Sequence, residues 1–116
     1  MQRPNRLQHI TPQGLSLVAA RFKLLSEPLR LEILNRLEVG ELSVSELAGA
    51  IGTSQQNISK HLRLLIDGGL VARRQEGTSV FVSIADPSVF DLCHLVCSSV
   101  ETHLHAQVRS LIRKPR

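Results

Sequence analysis

Residues 53 to 83, TSQQNISKHLRLLIDGGLVARRQEGTSVFVS, set a polar-faced helix, a Gly-Gly stop and a basic hairpin in direct succession, and few folds accommodate that order. Thr53 and Gln56 have the S/T-x-x-E/Q spacing of a capping box, which predicts that a helix starts there. At about 100° per residue, Ile58, Leu62 and Leu65 share one face of that helix, and Gln56, Lys60 and Arg63 fall on the opposite one. Gly68 and Gly69 stop it where a residue with positive φ is needed. Leu70, Val71 and Ala72 then begin a strand and Val80, Phe81, Val82, Ser83 and Ile84 make its partner, with Arg73, Arg74, Gln75, Glu76, Gly77, Thr78 and Ser79 between or beside them.

The preceding segments supply what this unit packs against. Residues 1–12 are polar, contain Pro4 and Pro12, and read as a flexible arm. From Gly14 to Leu25, apolar Leu15, Val18, Ala19, Phe22 and Leu25 recur at helical spacing. Pro28 suits the first position of a second helix, whose inner face is Leu29, Ile33, Leu34 and Leu37 and which Gly40 ends. Ser43 and Glu46 form another capping box, opening a short helix with Leu47, Ala48 and Ile51 buried. Only Ile51, Gly52 and Thr53 separate its body from the polar-faced helix, the turn length of a helix-turn-helix.

After the hairpin, Asp86 and Pro87 give a cap-then-proline signal, and Val89, Cys93, Val96, Cys97, Val100, Leu104, Val108 and Leu111 form a long apolar stripe. That stripe outruns the core so small a domain can cover. With the first helix it reads as a dimerisation surface, carried by Leu15, Val18, Phe22, Val96, Val100 and Leu104. The expected fold is mainly α with a small β-hairpin, a winged helix-turn-helix of order α-α-α-α-β-β-α that dimerises through its first and last helices. Residues 13–106 form the DNA-binding and dimerisation domain, and residues 107–116 a basic tail at the end of the last helix.

At 116 residues the chain suits one domain and is short for a two-domain enzyme. Fourteen Lys plus Arg against ten Asp plus Glu, with a pI near 9.8, suit a polyanionic partner. No apolar run reaches the roughly 18–20 residues that span a bilayer, and the N-terminus lacks the apolar centre of a secretory signal. A soluble, cytoplasmic chain without membrane contact is expected, with Cys93 and Cys97 as thiols. No nucleophile-base-orienter set or phosphate-cradling Gly loop is present, so an enzyme is not expected.

Gln and Asn pair with adenine edges and Arg with guanine, and Lys or Arg suits phosphate oxygens. The expected DNA contacts are therefore Ser54, Gln55, Gln56, Asn57, Ser59, Lys60 and Arg63 on the helix, with Arg73, Arg74 and Thr78 on the hairpin. On its own a polar helix face is more often merely solvated. The succession of compact helix, short turn, capped helix and wing is what favours DNA. A degenerate winged helix serving as a protein-interaction module is the other class, better suited to an apolar or acidic outer face.

The segments LLSEPLRLEIL (24–34), ELSVSELA (41–48), TSQQNISKHLRLLIDGGLV (53–71) and RRQEGTSVFVSIADP (73–87) resemble the ArsR/SmtB family of small winged-helix repressors. The resemblance covers nearly the whole chain beyond residue 12 or so. It implies a homodimer with two recognition helices in successive major grooves of an imperfect palindrome, released by an inducer. Two metal sites of that family are not intact here. Its C-x-C positions are Ser43 and Ser45, poor ligands for thiophilic ions. Its last-helix set, Asp-x-His followed by His-x-x-His or His-x-x-Glu, falls on Asp91, Cys93, Leu104 and Gln107.

What remains is Cys93, His94, Cys97, His103 and His105. Cys93 and Cys97, one helical turn apart, could share As(III) or another thiophilic ion, or sense oxidation or persulfidation, with a second copy adding ligands. They could equally be packing residues within the apolar stripe. Both readings stand at this point: a repressor released through these cysteines, and one with no thiol sensing. His61, about 60° from the centre of the buried face, reads as a packed or capping histidine rather than a base reader.

Overall fold

The computed structural model describes residues 9–104. Residues up to Ala85 make one compact unit, and Asp86 onward a second. The elements are α1 (Pro12–Leu24), α2 (Pro28–Leu37), β1 (Leu42–Ser43), α3 (Val44–Ile51), α4 (Gln55–Asp67), β2 (Val71–Glu76), β3 (Ser79–Ile84) and α5 (Ser88–Leu104). This is a winged helix-turn-helix, with α3 and α4 as the helix pair and β2 with β3 as the wing.

The anticipated apolar faces converge on one core. Ile33, Leu34 and Leu37 of α2, Leu47 and Ala48 of α3, and Ile58, Leu62 and Leu65 of α4 are buried, with Leu70, Val71 and Val82 beneath the wing. Each large side chain buried this way stabilises by about 1.5–3 kcal/mol relative to exposure, which fixes α4 by its inner face and leaves its outer face free.

Local signals hold the ends in place. Ser43 Oγ accepts from Glu46 N at 3.0 Å and Glu46 Oε1 accepts from Ser43 N at 2.9 Å, the reciprocal box expected at α3. Gly52, at φ 86°, closes α3 in the left-handed region, and Thr53 N donates back to Ala48 O at 3.1 Å. Pro28 opens α2 as anticipated.

Three expectations need correction. The cap of α4 is Ser54, not Thr53: Ser54 Oγ accepts from Asn57 N at 3.1 Å, while the Thr53 backbone is spent on closing α3. The first helix begins at Pro12, two residues before Gly14, because Thr11 Oγ1 accepts from Gly14 N and proline is well placed in a first turn. The element order gains a strand: β1 pairs antiparallel with β3, Leu42 opposite Val82 and Ser43 opposite Phe81, so the sheet has three strands in the order β1-β3-β2.

The wing strands run further than their apolar residues suggested. The ladder extends from Val71 opposite Ile84 to Glu76 opposite Ser79, leaving Gly77 and Thr78 as a two-residue connection. Gly77 has φ 60° at the first central position, the conformation that favours glycine in a tight hairpin.

Helix α5 is opened by Asp86, whose Oδ1 accepts from Ser88 N at 3.1 Å and Ser88 Oγ at 2.6 Å. Leu95 and Val96 are exposed along it, and Cys93, Cys97, Val100 and Leu104 are half-buried. Val108, Leu111 and the 107–116 tail lie outside the described residues. In α1 no residue is buried, and Leu15, Leu17 and Phe22 are exposed. Among the described residues no helix is long and apolar enough to cross a membrane.

Candidate nucleic-acid interface

Because α4 is seated through Ile58, Leu62 and Leu65, the opposite side of the helix faces outward. Ser54, Gln55, Gln56, Ser59, Lys60 and Arg63 are all exposed. Gln55, Ser59 and Arg63 line one wall of an open cleft of about 730 Å³, and Arg73, Thr78 and Ser79 of the wing line the other. The capped start of α3, Ser43 to Glu46, forms its floor. Amide, hydroxyl and guanidinium donors from two elements therefore line this cleft, together with the Glu46 and Asp67 carboxylates. Among the described residues, Lys60, Arg63 and Arg73 have no acidic partner, so their charge is available to a ligand.

Two of the anticipated contacts are committed elsewhere. Asn57 is half-buried and works within the turn: its backbone donates to Ser54, and Nδ2 donates to Thr53 Oγ1 at 3.0 Å. Arg74 makes a two-pronged pair with Glu41, Nε to Oε2 at 2.9 Å and Nη2 to Oε1 at 2.7 Å. Its Nη1 reaches Glu76 at 2.7 Å, and its guanidinium lies 4.6 Å from the Phe81 ring centroid. The hydrogen bonds from Arg74 hold the Glu41 carboxyl below the usual carboxylate range. Arg74 thus ties the wing to the segment leading into β1 and α3 instead of projecting a free cation. Glu41 was not singled out from the sequence, since 33 residues separate it from its partner.

His61 also has a structural partner. Its Nδ1 lies 3.1 Å from Arg30 Nη1. Arg30 Nε also donates to Leu24 O at 2.7 Å and Nη2 to Lys23 O at 3.3 Å, so one side chain ties the end of α1 to α4. Burial, then the charges of Arg30 and Lys60, outweigh Glu27 and hold the His61 imidazole below its ordinary value. This agrees with a packed histidine.

On α5, Cys93 and Cys97 are free thiols, both half-buried. Burial, then the neighbouring Cys97, push the Cys93 thiol up, so it stays protonated and weakly nucleophilic near neutrality. Among the described residues no group of three or more His, Cys, Asp or Glu side chains is placed to hold a metal. The two thiols suit a soft ion as donors, and among the described residues they do not complete a site by themselves.

A helix-turn-helix domain model matches residues 25–74. A transcriptional repressor of Synechocystis sp., an SmtB homolog, is 32% identical over 101 residues, covering 83% of this chain and 76% of that protein. The chain belongs to the ArsR/SmtB family. Two solved structures agree with that membership. The homodimeric winged helix-turn-helix DNA-binding domain of Mb0332 from Mycobacterium bovis, described as a possible ArsR-family regulator, matches with TM-score 0.70 at 34% identity, covering 90% of this chain and 94% of that one. The AntR antimony-specific transcriptional repressor matches with TM-score 0.72 at 28% identity, covering 90% and 98%. An ArsR/SmtB protein is a DNA-binding transcriptional regulator, not an enzyme.

Proposed function

We propose that this ArsR/SmtB member is a homodimeric, operator-specific repressor acting in the cytoplasm. The single observation that carries the reading is the outward side of α4, where Gln55, Gln56, Ser59, Lys60 and Arg63 are exposed, with Gln55, Ser59 and Arg63 sharing a cleft with Arg73 and Thr78 of the wing. Gln55 and Gln56 read base edges in the major groove, and Lys60, Arg63 and Arg73 hold phosphates, joined by the Ser54, Ser59 and Thr78 hydroxyls. Arg74 and Asn57 shape this surface rather than touch DNA.

Two copies assemble through α1 and α5, each of which carries apolar side chains that its own chain leaves open: Leu15, Leu17 and Phe22 on one, Leu95 and Val96 on the other. Val18, Val100 and Leu104 extend those faces. The twofold pair then presents two α4 helices to half-sites about 34–36 Å apart on an imperfect palindrome. The test is binding of duplex DNA across a salt series. Affinity that falls steeply with salt supports the reading, since phosphate contact releases counterions, and flat or absent binding favours a protein-interaction module.

Release from DNA is assigned to a thiophilic ion such as As(III) held by Cys93 and Cys97, with further donors from the second copy. The support is the pairing of two thiols one turn apart on α5, together with the likeness to an antimony-specific repressor. Thiol oxidation or persulfidation at the same pair is less favoured, because the raised Cys93 pKa suppresses the thiolate such reactions need. A repressor whose cysteines only pack is the second reading, and their half-burial speaks for it.

A further inference from the structure

Helix α1 has no buried residue, and contacts at its C-terminal end help to hold it within its unit. Two are specific. The Arg30 side chain binds the Lys23 and Leu24 carbonyls at the end of α1 and, with its remaining nitrogen, His61 of α4. Beside this, Gly68 at the end of α4 leaves the space that the Leu24 side chain occupies, and a Cβ there would collide with Leu24 Cδ1. The helix that carries one of the apolar faces is thus joined to the helix that carries the DNA-facing residues, chiefly through a guanidinium.

We propose that Arg30 and His61 are positioning residues for DNA recognition, a joint that keeps α4 in register with α1 and opens when His61 takes up a proton. The inference rests on the DNA-binding reading above. Its chemistry is one-sided: arginine can only donate hydrogen bonds, so Nδ1 of His61 must accept, which requires a neutral ring with its proton on Nε2. An imidazolium has no acceptor left and meets Arg30 as a like charge. The charged groups facing the ring are Arg30 and Glu27 from the start of α2 and Lys60 on α4 itself. At this joint α1 contributes the backbone carbonyls, with the Lys23 side chain exposed. Two cations against one carboxylate, in a half-buried setting, keep the ring neutral near pH 7.

The sign follows from that. The folded ring favours the neutral form more than the ordinary histidine value of 6.5 would give, so the joint is complete above that pH and is lost as pH falls below it. Protonation has opposite effects on two kinds of DNA. The added positive charge strengthens attraction to any phosphate backbone, while the loss of register weakens the base contacts that only an operator rewards. Discrimination between sequences is therefore the quantity that falls on acidification.

The test uses full-length protein, a duplex recovered by selection from a random-sequence library, and a scrambled duplex of equal length. The selected-to-scrambled affinity ratio should drop roughly fivefold between about pH 8 and full protonation of the His61 ring. In His61→Asn, whose amide oxygen takes the place of Nδ1, can still accept from Arg30 and does not titrate, the same ratio should change by less than about twofold. Because Arg30→Met risks the fold, the second measurement is an NMR titration of the His61 ring in the unaltered protein. It should show the Nε2-protonated tautomer near pH 7.5, with the Leu24 and Lys23 amide signals shifting as the ring titrates. A His61→Asn profile that overlays the unaltered protein, or an Nδ1-protonated ring near pH 7.5, overturns the joint. Failure to select any duplex overturns the DNA reading itself and is distinguishable from both.

Discussion

Arg74 on the wing and Glu41 just before β1 meet through two parallel hydrogen bonds of 2.9 and 2.7 Å, and the same guanidinium lies 4.6 Å from the Phe81 ring centroid. A two-pronged pair over an aromatic face fixes direction as well as distance. It orients the wing relative to the start of the helix-turn-helix. Arg74 therefore differs in kind from Arg73, its neighbour in sequence, which lies on the wall of the cleft with its charge uncommitted.

Glu41→Gln separates the two roles open to Arg74. If the arginine is a strut, loosening the pair weakens binding to a selected duplex by roughly threefold and leaves the salt dependence unchanged. Tighter binding with a steeper salt dependence would return Arg74 to the phosphate contacts. Titration by fluorescence anisotropy over a salt series reads both quantities.

Lys60→Ala and Arg73→Ala should weaken selected and scrambled duplexes alike, each lowering the magnitude of the log-log salt slope by about 0.9. Gln56→Ala should instead cost about 1–3 kcal/mol against the selected duplex and almost nothing against the scrambled one. Parallel losses for all three substitutions would mean that Gln56 does not read bases.

Ser54→Ala should destabilise the fold by about 0.5–2 kcal/mol, because it removes the acceptor for Asn57 N at the start of α4. Gln56→Ala should leave the unfolding midpoint unchanged, since Gln56 has no part in the observed cap. Urea denaturation followed by circular dichroism distinguishes this arrangement from a box closed by Thr53 and Gln56.

The double substitution Cys93→Ser with Cys97→Ser should preserve DNA affinity and abolish release by As(III). Retained release would make the two thiols packing residues. Because arsenous acid binds thiols with loss of water, As(OH)3 + 2 RSH giving As(SR)2OH + 2 H2O, isothermal titration in buffers of different ionisation enthalpy should report no net proton release with As(III), whereas Cd(II), which displaces the thiol protons, should release them and bind more tightly as pH rises.

The parts of this fold that were legible in the sequence are those governed by neighbours within one or two turns. The Ile58, Leu62 and Leu65 stripe appears as one buried face because a helix repeats every 3.6 residues, and the Ser43 to Glu46 box needs only its own three-residue spacing. Thr53 and Ser54 were harder to tell apart, since both are good caps and the choice was made by the backbone of Thr53 closing the preceding helix. Strand β1 has two residues, too few for any alternation to register, and exists because β3 offers it a free edge. Arg74 and Glu41, or Arg30 and His61, meet only after the chain has folded, and nothing local distinguishes them from solvated charges. The cleft was readable as a set of residue types on α4 and the wing. Which of its cations are free was not, because that depends on partners more than thirty positions away.

Helix α1 carries Leu15, Leu17 and Phe22 outward and surrenders none of these three to the interior of its own subunit. An element of that kind owes its order to company. Dilution should therefore lower the melting temperature, and the amount of protein a cell makes would set how many molecules are fit to hold a promoter shut.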